Sequence, residues 1–215
     1  MVVYLIGLLA QFFFGARTVL QWILSERAKK VLSPSIFWIL SIVASYLFFI
    51  YGWLREDFAI ILGQVIAYYI YIWNLNAKGV WKKVPAVIRY FLILTPPVAI
   101  ALASGDAAHF INTFLKNEDV PLWLLIFGST GQIVFTLRFV YQLIYSVRRN
   151  ESLLPIGFWI ISLAGSMVII VYAIIRQDPI LILGQSAGFI AYIRNIAIYR
   201  KQNKDFKQAQ EDQIS

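Results

Sequence analysis

Residues 11–74 and 132–195 are two copies of one sequence. Displaced by 121 positions they pair without a gap, and 25 of the 64 pairs are identical. Many of the identities are residues that an apolar composition does not supply. Gln11, Arg17, Gln21 and Ser25 match Gln132, Arg138, Gln142 and Ser146. Pro34, Phe37 and Trp38 match Pro155, Phe158 and Trp159, and Tyr51, Arg55 and Asp57 match Tyr172, Arg176 and Asp178. Gly63, Gln64, Tyr71 and Asn74 match Gly184, Gln185, Tyr192 and Asn195. A duplication of this kind confines the fold to two like units and whatever joins them.

Composition says what the units are. Of the 215 residues, 60% are hydrophobic and only 14% charged, with a mean hydropathy of +0.71. A soluble domain of this length cannot hide so much apolar side chain. Several apolar runs reach the roughly 18–20 residues that cross a bilayer as a helix. Seven spans are expected, at about 2–22, 35–54, 58–76, 86–104, 121–144, 156–175 and 179–199. The opening MVVYLIGLLAQFF lacks the basic region and cleavage site of a signal peptide, so it is expected to stay as the first span.

The expected class is an all-α membrane protein, with two parallel three-helix repeats and a linker helix in 3+1+3 order. Residues 1–76 form the first repeat, 77–120 the linker with the fourth helix, 121–199 the second repeat and 200–215 a polar, frayed tail. Four crossings separate the first span from the fifth, which restores direction and sets a pseudo-two-fold axis along the membrane normal. Pro96-Pro97 in the middle span predicts a kink. The loop at about 105–120 is expected to include a short interfacial helix.

Charge sets the orientation. One side receives Arg27, Lys29, Lys30, Lys78, Lys82, Lys83, Arg148, Arg149, Arg200, Lys201, Lys204 and Lys207, and the other only Arg55, Lys116 and Arg176. Twelve against three puts the C-terminus in the cytoplasm and the N-terminus outside. The same asymmetry explains the net charge of +8 without nucleic acid.

Arg17, Arg89, Arg138 and Arg194 fall inside spans, where an arginine near the centre costs roughly 2.5–3.5 kcal/mol on insertion. On a helical wheel Gln11, Arg17, Thr18, Gln21 and Ser25 share an arc of about 120°. The second copy repeats most of it, with Phe139 for Thr18. Gln64, Tyr71 and Asn74 share roughly 80°, as do Gln185, Tyr192 and Asn195. Two guanidiniums near a pseudo-axis suit an anionic headgroup, because Arg forks match phosphate oxygens. Neighbouring glutamines suit sugar hydroxyls. The candidate binding set is Arg17, Arg138, Gln11, Gln132, Gln21, Gln142, Gln64, Gln185, Tyr71, Tyr192, Asn74 and Asn195.

Plainer readings stand beside these. Gln and Asn bind helices to one another, and Arg17 can snorkel to headgroups. Asp57 and Asp178 read as helix N-caps at the outer face, within reach of Arg55 and Arg176. The Phe-Trp after each proline reads as an interfacial anchor. Glu26 has no acidic counterpart at Val147 and breaks the symmetry if it acts. The absence of cysteine excludes disulfides and thiolate sites, and His109 has no ligand or triad context, so no metal or cofactor is expected. No nucleotide-binding glycine pattern occurs, and no base accompanies Ser25 or Ser146. An enzyme is not expected.

The stretch QFFFGARTVLQWILSERAKKVLSPSIFW resembles the lipid A biosynthesis N-terminal domain family, through Gln11, Phe14, Arg17, Gln21, Trp22, Ser25, Glu26, Pro34, Phe37 and Trp38. The later match runs from Leu62 to Leu75. The second copy departs from the pattern, with Leu143 for Trp22, Val147 for Glu26 and Arg194 for Trp73. The family is in turn similar to SWEET and PQ-loop proteins, which also use three-helix repeats. The resemblance implies a multi-pass protein of the bacterial inner membrane, working in envelope glycolipid synthesis. The leading expectation is that the chain binds and translocates a lipid-linked (polyprenyl-phosphate) sugar or related glycolipid precursor, the repeats rocking about the pseudo-axis. The alternatives are a subunit that presents lipid to a membrane glycosyltransferase, and a SWEET-like facilitator of a soluble sugar.

Overall fold

A computed structural model describes residues 2–55, 58–103, 122–175, 177 and 179–214. These residues form α1 (Val2–Ala28), α2 (Ser35–Leu54), α3 (Phe58–Ala77), a single 3-10 turn (Trp81–Lys83), α4 (Ala86–Ala103), α5 (Leu122–Arg149), α6 (Ile156–Ile175) and α7 (Pro179–Ile214). No strand occurs among the described residues, in keeping with the all-α expectation. Three of the helices, α1, α2 and α6, are long and apolar enough to cross a membrane. Asp57, Arg176, Asp178 and the loop expected to carry an interfacial helix lie outside the described residues.

One expectation fails at the end of the chain. The tail is helical as far as Ile214. Its Lys, Gln, Glu and Ala residues are good helix formers, and α7 spares them the cost of nucleation.

The turn that closes the first helix of each repeat is duplicated in detail. Lys29 and its equivalent Asn150 take left-handed backbone angles, φ 53° and 52°. The next amide reaches back five residues, Lys30 N–H to the Ser25 carbonyl at 3.2 Å and Glu151 N–H to that of Ser146 at 3.1 Å, which is a Schellman closure. The Ser25 hydroxyl oxygen accepts from Leu32 N–H at 3.0 Å, and that of Ser146 from Leu153 N–H at 3.0 Å. Pro34 and Pro155 then open α2 and α6.

Within each repeat the helices pack in sequence, α1 on α2 on α3 and α5 on α6 on α7. Gly7 lies beneath Tyr51, and its equivalent Gly128 beneath Tyr172. The repeats meet along two crossed seams, α1 with α7 and α3 with α5. Between the seams lies an aromatic core of Phe37, Trp38, Tyr71, Phe139, Phe158, Trp159 and Tyr192. Phe37 meets Trp38 edge-on at 4.8 Å, and Phe158 meets Trp159 at 4.9 Å. The Phe-Trp pairs are therefore core and not the expected interfacial anchors, since both indoles are fully buried.

The linker helix α4 docks on the first repeat through its prolines. Pro96 and Pro97 lack the N–H groups that would bond the carbonyls of Leu92 and Ile93. Tyr68 of α3 donates its hydroxyl hydrogen to the Leu92 carbonyl at 3.1 Å, and Tyr69 donates to that of Ile93 at 2.9 Å. Two adjacent tyrosines satisfy what two adjacent prolines leave open. The second copy has Phe189 and Ile190 at these positions.

Candidate functional site

The polar residues singled out in the sequence divide into two groups. Gln21 and Asn195 exchange amide hydrogen bonds across the α1–α7 seam, at 2.9 and 3.0 Å. Gln142 and Asn74 do the same across the α5–α3 seam, at 2.8 and 3.1 Å. All four are fully buried. Gln21 Nε2 also reaches Ser25 Oγ and the Leu32 carbonyl, and Gln142 Nε2 reaches Ser146 Oγ and the Leu153 carbonyl. These amides are spent on joining the repeats, and they do not line the cavity described below. Each glutamine finds its asparagine on the other copy, a pairing that spacing within one helix does not reveal.

The second group lines a cavity of about 80 Å³ between the repeats. Arg17 and Arg138 face it from α1 and α5, Gln64 and Tyr71 from α3, Gln185 and Tyr192 from α7, with Gln11 beside them. A Cβ on Gly184 would come within 2.8 Å of Gln11 Oε1, so the glycine of the second Leu-Gly-Gln makes room for that amide. The Gln132 side chain lies outside the described residues.

Both arginines are almost wholly buried, with relative exposures of 4% for Arg17 and 3% for Arg138. Arg17 donates from Nη1 to Ser41 Oγ at 2.6 Å, and Arg138 donates from Nη1 to the Tyr192 hydroxyl at 3.1 Å. Neither has an ion-pair partner among the described residues, and the Nε of each is buried without a hydrogen-bond partner. Aromatic rings take the place of counter-charge. Phe14 lies 4.5 Å from the Arg17 guanidinium and its equivalent Phe135 lies 3.4 Å from that of Arg138. Phe139 reaches both, at 5.4 and 4.6 Å. Cation–π contact of this kind is worth up to about 2 kcal/mol when desolvated. Arg17 therefore does not snorkel.

Sequence reasoning passed over part of this site. Ser45 donates to Gln64 Oε1 at 2.9 Å, and Ser166 to Gln185 Oε1 at 2.9 Å, which orients both amides. Phe14 with Phe135, Ser41 with Ser162 and Ser45 with Ser166 are identities of the duplication. That signal was available.

Of the other arginines expected inside spans, Arg89 on α4 is not among the cavity residues. Arg194 lies exposed at the α1–α7 seam and forms a two-pronged ion pair with Glu26, Nη2 to Oε1 at 2.5 Å and Nε to Oε2 at 3.1 Å. Trp22 Nε1–H donates to the same carboxylate at 3.1 Å.

Fold and site together define a protein whose described residues are helical, with three helices long and apolar enough to cross a membrane, built on a duplication, with a basic aromatic-walled cavity between its halves. The chain belongs to the Lipid A Biosynthesis N-terminal domain family, whose model matches residues 6–76 and again 127–197. It is 31% identical over 214 residues to the lipid-A-disaccharide synthase of Chlamydia abortus and 30% identical over 210 residues to that of Chlamydia pneumoniae. Against the synthase of Chlamydia caviae the identity is 29% over 217 residues. Each match covers 94% of this chain and 34% of the relative. The chain thus spans about a third of the length of the curated relatives it matches. No solved structure matches it significantly.

These relatives overturn the expectation that the protein stands outside enzyme chemistry, because the proteins it resembles along nearly its whole length carry the name of a synthase. The expectation rested on the lack of a visible catalytic motif.

Proposed function

We propose that this chain handles an acidic glycolipid precursor for glycosyl transfer in envelope glycolipid synthesis, holding the anionic group between its two repeats. The observation that carries the reading is the pair Arg17 and Arg138, two buried guanidiniums with no carboxylate partner among the described residues, facing one cavity. Guanidinium edges match phosphate oxygens. Family membership and the relatives' name support a lipid A-type substrate. The greater length of those relatives supports a glycosyltransferase segment or subunit as partner.

In this reading Arg17 and Arg138 hold phosphate, while Gln11, Gln64, Gln185, Tyr71 and Tyr192 meet sugar hydroxyls. Gln21, Gln142, Asn74 and Asn195 keep the repeats together. All seven helices cross the bacterial inner membrane in 3+1+3 order, with the N-terminus outside and the C-terminus in the cytoplasm. The domains are residues 1–76, 77–120, 121–199 and 200–215. The excess of basic residues on one side supports that orientation.

A second reading, translocation of a lipid-linked sugar, is favoured by the cavity's place between two equivalent repeats. Rocking of the halves would expose it to either face in turn. Two formats separate the readings. In detergent, where no bilayer has sides, presentation predicts that sugar transfer by the membrane glycosyltransferase copurifying with this chain requires it, and falls in Arg17→Gln and Arg138→Gln. In liposomes, translocation predicts faster transbilayer movement of a labelled polyprenyl-phosphate sugar. Failure of both overturns the proposal.

A further inference from the structure

Resting on the reading of an acidic lipid A-type precursor presented for transfer, and not on that of a polyprenyl-phosphate sugar, whose phosphate is a diester, we infer that the group held between Arg17 and Arg138 is a phosphate monoester carrying two negative charges, and not a phosphodiester carrying one. Rings pack around both guanidiniums, Phe14 by Arg17 and Phe135 by Arg138, with Phe139 near both. On each arginine Nη1 is engaged within the protein, to Ser41 or to Tyr192, and Nε is buried without a partner. Two guanidinium side chains, one from each repeat, border a single cavity.

Nothing among the described residues neutralises them. Glu26 is committed to Arg194, Glu151 stands in the turn before α6, and Asp205, Glu211 and Asp212 lie on the extension of α7. Two buried charges without counter-ions are costly, and an occupant with a matching double charge relieves that cost. A phosphate monoester brings about −1.5 to −2 charges and three acceptor oxygens at neutral pH. A phosphodiester brings one charge and leaves one guanidinium uncompensated. A cavity of about 80 Å³ has room for such an oxyanion.

The test uses the full chain in detergent micelles, with binding read from the rise in melting temperature. The probes are phosphatidic acid (a monoester lipid), phosphatidylglycerol (a diester lipid) and inorganic phosphate. Phosphatidic acid is expected to half-saturate at about tenfold lower mole fraction than phosphatidylglycerol. Arg17→Gln and Arg138→Gln should each remove that preference, because one remaining charge is matched by one. Without lipid, neither variant should melt below the parent, since each deletes an uncompensated buried charge. Lower melting of both would assign the arginines a structural role and overturn the inference. Equal affinity of the parent for the two lipids overturns the double charge and leaves the acidic-lipid reading standing. Binding of neither lipid overturns both. Inorganic phosphate acting as strongly as phosphatidic acid keeps the double charge and overturns the lipid reading.

Discussion

The two seams between the repeats are built from equivalent positions and finished in different chemistry. On α1–α7, Trp22 and Arg194 converge on Glu26. On α3–α5 the same positions hold Leu143, Val147 and Trp73. Taken one at a time, the three departures of the second copy from the family pattern look like drift. In space they are one substitution, a charged clasp on one seam and apolar side chains on the other. The third helices differ in the same way. Tyr68 and Tyr69 serve the prolines of α4, and Phe189 and Ile190 have no second linker helix to serve. The copies diverged at the clasp and at the linker and stayed alike at the crossed amides and around the cavity.

The largest effect is expected at the linker. Changing Tyr68→Phe and Tyr69→Phe together leaves two proline-freed carbonyls without donors, at about 1–3 kcal/mol each. Thermal melting in detergent should fall sharply, whereas Phe189→Tyr with Ile190→Tyr should gain nothing. An unchanged melting point in the first variant would break the contrast between the third helices.

Next come the crossed amides. Gln21→Leu or Asn195→Leu should each cost about 1–3 kcal/mol, and the double variant less than the sum, as the second change removes the stranded partner. Asn74→Leu should cost more than Asn195→Leu. Asn74 also accepts a hydrogen bond from Ser152 at 2.7 Å, and the position equivalent to Ser152 is Val31. A melting series of the singles and doubles checks both statements.

A smaller asymmetry concerns the two buried tryptophans. Trp38 Nε1–H donates to Ser33 Oγ at 3.0 Å, but Leu154 stands where Ser33 has its equivalent, and Trp159 Nε1 has no partner among the described residues. Trp38→Phe should therefore destabilise more than Trp159→Phe, by about 0.5–1.5 kcal/mol. Equal losses in chemical denaturation would show that Ser33 contributes nothing.

The smallest shift is expected at the clasp, because it is exposed to solvent. Glu26→Gln should lower the melting point only slightly, and less so at high salt. A large, salt-insensitive loss would mean that the two seams differ in strength as well as in chemistry.

The fold was legible where its signals are periodic or repeated. Hydrophobic run length marked the helices, and the displacement of 121 marked the halves. The cavity was half legible. Arginine inside an apolar helix announces itself by cost, so Arg17 and Arg138 stood out, and Gln64 and Gln185 followed as their companions. Gln21 and Asn74 carry the same kind of signal yet belong to the joint, because their partners lie on the opposite copy. The aromatic lining was harder still. In a chain with 16% aromatic residues a phenylalanine offers no contrast, and Phe37-Trp38 reads equally as anchor or core.

The crossed amides also bear on how such a chain comes to exist. One copy carries both a glutamine and an asparagine of the joint, yet the two never meet within that copy. A lone three-helix unit would hold both halves of a fastening it cannot close on itself, and a second identical unit would supply two closures at once. Tying the units into one polypeptide turns that encounter from bimolecular to unimolecular, at effective concentrations of about millimolar for a short tether. Once the partner is always present, neither half needs to remain its own best match, and each is free to specialise.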